Sequence, residues 1–174
     1  MKSEPNQTTL PKEKQTVLNL YVTAKEAYAK WKAEPEKIKI IDVRTPEEFL
    51  FVGVPPMAWM IPVAEQRYEW DAAKKQFPLK PLTDFASRVS AVAKPEETLL
   101  VMCRSGGRSA IAVNMLAKAG FKNVYNIVDG MEGDANGDSD SVAECERPQD
   151  GWKNSGSPWT KKFTPDRMVL PKAQ

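Results

Sequence analysis

The 174-residue chain contains no histidine. That excludes a Ser-His-Asp or Cys-His catalytic pair, a histidine metal site and a histidine pH switch. Any chemistry here runs without an imidazole. Cysteine is scarce too. Cys103 and Cys145 are the only two, at most one bridge, and no CxxC occurs, so neither a disulfide framework nor a four-cysteine zinc site can form. No metal and no cofactor is expected. No apolar run reaches bilayer-spanning length, because Pro55, Pro56 and Pro62 interrupt the richest stretch, so no membrane insertion is expected. An excess of one charge is also lacking. The 25 Lys and Arg against 23 Asp and Glu leave +2, too little to imply a nucleic-acid partner. Residues 1–9 are polar and lack a signal-peptide core. They fit either a cytosolic tail or the remnant of a removed signal with a start Met added.

What is present suits a globular chain of one-domain length: 41% apolar residues, 28% charged residues and five Trp. Residues 1–16 are polar and aperiodic, and read as a disordered lead-in. Thr23 and Glu26 have capping-box spacing, and Ala24, Ala27, Tyr28 and Trp31 follow at helical intervals, which predicts a helix over 24–34. Residues 37–43 read as a strand. Thr45, Pro46 and Glu48 then cap, open and complete the box of a second helix, and across this strand-helix turn Arg44 and Glu48 have the spacing of an ion pair. Residues 53–82, rich in Pro and aromatics, read as a long irregular connection. A helix capped by Thr83 is expected over 83–93, with Phe85, Val89 and Val92 on one face. Residues 98–102 form a continuous apolar run, the mark of a central strand buried on both faces. A helix from Ser109 to about Lys118 ends at Gly120, and 124–128 is one more strand. Strands alternating with helices imply a parallel sheet covered on both sides.

Past Gly130 the composition changes. Residues 132–150 carry a net charge of −6 and read as a solvated excursion, whereas 151–174 carry +4. Trp152, Trp159 and Phe163 in the latter are expected to pack back on the domain, as a clamp over a sheet edge. Cys145 lies between Glu144 and Glu146, whose charges make it a poor nucleophile. It is read as an incidental thiol, with a resolving role as the other option.

The segment Met102-Cys103-Arg104-Ser105-Gly106-Gly107-Arg108-Ser109 joins a buried strand to a helix. That places it at the carboxyl edge of the sheet, where open α/β folds hold ligands. Gly106 and Gly107 let successive amides turn inward into a nest, the helix adds its positive dipole end, and Arg104 and Arg108 add charge. The product is an anion pocket with a sulfur at its base. Helix N-termini and nearby cations favour the thiolate, the reactive form of cysteine, with no base required. Cys103 is therefore the candidate nucleophile, provided that solvent reaches it. A buried structural cysteine beside a plain glycine turn is the bland option.

This segment resembles the active-site loop of rhodanese-like sulfurtransferases. Ile40-Ile41-Asp42-Val43-Arg44-Thr45-Pro46-Glu47-Glu48-Phe49 is similar to the family's first block. Ala117-Lys118-Ala119-Gly120-Phe121 with Val124-Tyr125-Asn126-Ile127, and then Asp129-Gly130-Met131, are similar to its later ones. The resemblance covers residues 17–133 and implies a rhodanese-like three-layer α/β domain with a central, mostly parallel sheet flanked by helices. Residues 134–174 are then an excursion and an aromatic tail packing on it. The implied activity moves a sulfane sulfur from a small anionic donor, thiosulfate-like, through a Cys103 persulfide to cyanide, a thiol or a protein sulfur acceptor. Arg104, Ser105, Gly106, Gly107 and Arg108 would bind donor and persulfide, while Asp42 and Arg44 support the loop. The C-terminal pieces resemble a tail of some exported single-domain members, which tips the expected location toward the periplasm. Two departures stand out. The family's Gly-His-Ile-Pro-like segment reads Gly53-Val54-Pro55-Pro56, and Met131 replaces a frequent glycine.

Two other readings remain open. Cysteine phosphatases and arsenate reductases of related fold separate Cys and Arg by five residues, whereas four separate Cys103 from Arg108. A non-catalytic binding module of the same family is the second, though inactive members generally lack the Cys.

Overall fold

The computed structural model describes residues 9–136 and 146–172. Five parallel strands form the central sheet in the order β1 (Tyr21–Val22), β7 (Val124–Ile127), β6 (Thr98–Met102), β2 (Ile38–Asp42) and β3 (Trp59–Met60). Strands β2 and β6 pair over their whole length, from Ile38 opposite Thr98 to Asp42 opposite Met102. Both therefore end at one level, and the residues that follow them meet at the same edge.

Alternation along these strands divides the core. Ile41, Leu99, Val101 and Cys103 face one side, where they pack with Phe85 and Val89 of α3 (Phe85–Ser90) and with Val113 and Leu116 of α4 (Gly107–Lys118). Ile38, Ile40, Leu100 and Met102 face the other side, against Ala24 and Ala27 of α1 (Ala24–Ala33) and against Trp152. Burial on both faces explains why the 98–102 run is continuously apolar. The fold is the three-layer α/β arrangement with a parallel central sheet.

Both capping boxes form. Thr23 accepts from the Glu26 amide and Thr45 from the Glu48 amide, with Pro46 opening α2 (Pro46–Val52). The connection over 53–82 contains β3 and an antiparallel pair, β4 (Ala64–Gln66) with β5 (Leu79–Pro81).

Several boundaries differ from the sequence expectation. Helix α3 starts at Phe85 behind Asp84, which makes no side-chain cap, rather than behind Thr83. Helix α4 starts at Gly107, two residues early, because left-handed Gly106 (φ +100°) serves as its cap. Residues 9–16 are not a loose lead-in. A 3-10 turn at Lys12–Lys14 packs on α4, the Lys14 carbonyl accepts from Asn126, and the Thr16 amide donates to the Tyr21 hydroxyl. These buried backbone groups find partners on the domain, which composition does not reveal. Strand β1, two residues long, is too short to leave a pattern.

The tail follows the sheet edge. The Val169 amide donates to the Met60 carbonyl at 2.9 Å, and Val54 and Thr160 exchange two bonds of 2.8 Å. Trp152 is fully buried with its indole N–H on the Pro158 carbonyl, and Phe163 packs near Phe49 and Met60. Trp159 stays 45% exposed, with its ring against Gly53. The tail thus closes over the 53–56 segment that departs from the family pattern. Cys145 and the middle of the acidic excursion, residues 137–145, lie outside the described residues.

Candidate active site

The loop from Cys103 to Gly106 leaves the end of β6 and enters α4. The Gly106 amide donates to Cys103 Sγ at 3.1 Å. Gly106 can be nothing else, since a Cβ there would lie 2.3 Å from the Val128 carbonyl oxygen. Gly107 has open space around its Cα, so its lack of a side chain is not sterically required.

The loop's carbonyls are pinned away from the sulfur. The Cys103 and Arg104 carbonyls accept from the amides of Met131 and Glu132, at 2.8 and 2.9 Å. A trans peptide points its N–H opposite its C=O, so the amides of Arg104 and Ser105 are turned from that turn. Gly130 makes the approach possible: a Cβ on it would lie 2.5 Å from the Cys103 carbonyl oxygen. Met131 is fully buried beneath.

Asn126, on β7, locks the loop from behind. Its amide nitrogen donates to the carbonyls of Lys14 and Gly106, at 2.9 and 3.0 Å. Its oxygen accepts from the Ser109 hydroxyl at 2.6 Å, and that hydroxyl oxygen sits 3.4 Å from Cys103 Sγ. The amide orientation is forced, because the opposite one would set its oxygen against two carbonyls. The contact to Asn126 is much the shorter of the two, so the Ser109 proton serves Asn126 first. Neither residue was a site candidate from sequence. The signal was a single amide in an apolar strand.

Charged groups surround the loop in two pairs. Asp42 and Arg44 are both fully buried, with Arg44 Nε and Nη2 on the two carboxylate oxygens at 2.9 and 2.6 Å. Arg44 Nη2 also donates to the Gly53 carbonyl at 2.7 Å, capping the C-terminal end of α2. Burial disfavours its charge, yet Asp42 outweighs burial and holds Arg44 above its ordinary value. Arg44 therefore does not form the expected ion pair with Glu48. Its side chain runs to the far end of α2, whereas Glu48 stands in the first turn.

Glu48 pairs with Arg108 instead. Nη1 and Nη2 of Arg108 donate to its two carboxylate oxygens at 2.7 and 2.6 Å, a bidentate fork. Both side chains are about one-fifth exposed, at 22% and 21%. Burial pushes Glu48 up, but the Arg108 hydrogen bond and charge and the Thr45 amide bring it below the usual carboxylate range. Arg108 is accordingly engaged by Glu48 through two of its nitrogens, and it also feels the charge of Cys103. Arg104 is exposed and makes no ion pair among the described residues.

Cys103 is 1% exposed. The requirement that solvent reach the sulfur is thus not met in this conformation. In the loop that follows it, Arg104 is exposed, and Ser105, Gly107 and Arg108 are half-buried. Among the described residues no cluster of acidic or sulfur side chains could hold a metal, and no helix is long and apolar enough to cross a membrane.

Comparison with known proteins agrees with this architecture. The Rhodanese-like domain model matches residues 23–136. The Rickettsia prowazekii protein RP600, whose function is uncharacterized, is 33% identical over 120 residues, which span 69% of this chain and 80% of that one. A Schizosaccharomyces pombe protein named "Putative thiosulfate sulfurtransferase, mitochondrial" is 33% identical over 89 residues, covering 50% of this chain and 56% of that protein. The crystal structure of Rv0390 from M. tuberculosis superposes with a TM-score of 0.64 at 25% identity, over 81% of this chain and 96% of that one. With the loop, the flanking blocks and the sheet order all in place, the chain belongs to the rhodanese-like domain family.

Proposed function

We propose that this chain is a sulfurtransferase in which Cys103 carries a sulfane sulfur. The observation that supports it most is the Gly106 N–H aimed at Sγ from 3.1 Å at the N-terminus of the 12-residue helix α4. That arrangement sets a hydrogen-bond donor and a helix N-terminus beside the sulfur and needs no imidazole. In the first half-reaction the Cys103 thiolate attacks the outer sulfur of thiosulfate. The donor S–S bond breaks, sulfite leaves with the electron pair, and a Cys103 persulfide anion remains. In the second, cyanide attacks the outer sulfur, thiocyanate departs and the thiolate returns; a thiol or a protein acceptor takes the cyanide's place in a cell.

The persulfide extends about 2 Å beyond Sγ, the length of one S–S bond, toward the amides that follow Cys103. Those amides supply what an oxyanion hole supplies elsewhere: donors fixed before the charge arrives. Arg104, exposed and unpaired among the described residues, draws in the anionic donor.

Incubation with thiosulfate followed by intact-mass measurement tests the proposal. The expected result is a gain of one sulfur atom, lost again on adding cyanide. Cys103→Ser should gain none while melting at nearly the same temperature. A wild-type chain that stays unmodified, or a Cys103→Ser chain that still yields thiocyanate, rejects it. Phenyl phosphate hydrolysis without sulfur uptake would favour the phosphatase reading instead.

A further inference from the structure

Resting on the sulfurtransferase reading, we infer that Glu48 is a specificity-determining residue. By holding Arg108 in a bidentate pair, it matches the site to a singly charged sulfane donor, a persulfide or thiosulfonate, over dianionic thiosulfate.

Charge balance around the sulfur is the basis. Asp42 with Arg44 and Glu48 with Arg108 are two pairs whose charges cancel within hydrogen-bonding distance. Among the described residues, what remains near the loop is the fixed dipole of α4 and one uncommitted cation, Arg104. A thiosulfate dianion must approach a thiolate, so two negative charges meet a third with one free guanidinium to offset them. A monoanionic donor brings one negative charge fewer against the same guanidinium. Thiosulfate cannot simply recruit Arg108. Two of that residue's nitrogens already serve Glu48, and the pair is four-fifths buried, where breaking a fork exposes two poorly solvated charges.

Glu48 is well suited to this task because its carboxylate does two jobs at once. Oε2 accepts from the Thr45 amide at 3.1 Å, as the third helical residue of a capping box, while the same group takes the Arg108 fork. Position and ionisation are therefore fixed together. Glu48 acts through Arg108, not on the substrate, and is a positioning residue.

The chemistry allows a clean comparison. Methanethiosulfonate and thiosulfate donate the same sulfane sulfur to the same thiolate; the first releases methanesulfinate and the second sulfite. They differ by one unit of charge. The experiment measures kcat/KM for each donor in cyanolysis by the full chain. In Glu48→Gln, the neutral amide keeps the Thr45 contacts but releases Arg108. The ratio of kcat/KM for thiosulfate to that for methanethiosulfonate should rise about tenfold, as expected of one partly screened charge contact, and chiefly through KM for thiosulfate. In Glu48→Gln/Arg108→Gln, where both charges are gone, the ratio should return to the wild-type value. A purely structural Glu48 would change both donors alike. An unchanged ratio in Glu48→Gln, or a raised ratio persisting in the double variant, overturns the inference while leaving sulfur transfer intact. A wild type that accepts sulfur from neither donor overturns both.

Discussion

The Ser109 hydroxyl stands between Asn126 and Cys103, 2.6 Å from the amide oxygen of one and 3.4 Å from the sulfur of the other. Its proton serves Asn126 first, whose own amide hydrogens are committed to the Lys14 and Gly106 carbonyls. One buried amide thereby ties together the 3-10 turn at Lys12–Lys14, the loop and the hydroxyl at the sulfur.

Removing that amide strands three polar groups. Asn126→Ala should lower stability by about 1–3 kcal/mol, the cost of leaving buried hydrogen-bonding groups unsatisfied. Urea denaturation measures it. The gain of sulfur from thiosulfate should slow as well, since Gly106 loses its support. A variant as stable as wild type would mean that water replaces the side chain completely.

Gly106→Ala should be worse for the loop than Gly107→Ala. At Gly106 the backbone is left-handed, and a methyl group would press on the Val128 carbonyl, whereas at Gly107 nothing lies within 4 Å. We expect about 1–3 kcal/mol from backbone strain alone at Gly106, and sulfur uptake lost with it. Comparing the melting temperatures and uptake of the two variants checks this. Equal behaviour would contradict the geometry.

Arg44→Met should be strongly destabilising, by about 3–5 kcal/mol, because the Asp42 carboxyl would lose its ion-pair partner where no solvent reaches. Neutralising both partners, as Asp42→Asn with Arg44→Met, should recover much of the loss. Guanidinium unfolding of the three chains reads the difference. A double variant no better than the single would show that Arg44 matters for its Gly53 bond instead.

The Glu48–Arg108 pair gives stability a pH dependence. Arg108 holds the folded-state carboxyl below its ordinary value of 4.5, so the native state favours the ionised form. The stabilisation is whole above that value and disappears as pH falls through the lower, folded one. The stability gap between wild type and Glu48→Gln should therefore be widest near neutrality and shrink below pH 4.5. Chemical denaturation of both at several pH values would test it, and a gap that persists in acid would contradict the pairing.

Most of the architecture is written in local signals. Thr23 with Glu26, and Thr45 with Pro46 and Glu48, announce two helix starts, because capping chemistry is completed within four residues. The apolar run 98–102 announces a strand buried on both sides, and Cys103 followed by two glycines marks the loop. The sequence pattern sets the start of α4 two residues late because a glycine cap leaves no side-chain signature, only a backbone angle.

Partner choice could not be read that way. By spacing, Arg44 and Glu48 belong together across one strand-helix turn; in three dimensions each finds a different and better geometry, Asp42 for one and Arg108 for the other. The amino-acid order by itself determined the elements, the sulfur and the glycine that must face it, since these depend on neighbours along the chain. Which guanidinium stays free, which hydroxyl meets the sulfur and how deeply that sulfur lies were decided only when residues far apart in sequence came together, such as Lys14 and Asn126 at 112 positions. Charge pairing and burial depend on distance in space, and distance in space is set by the whole fold.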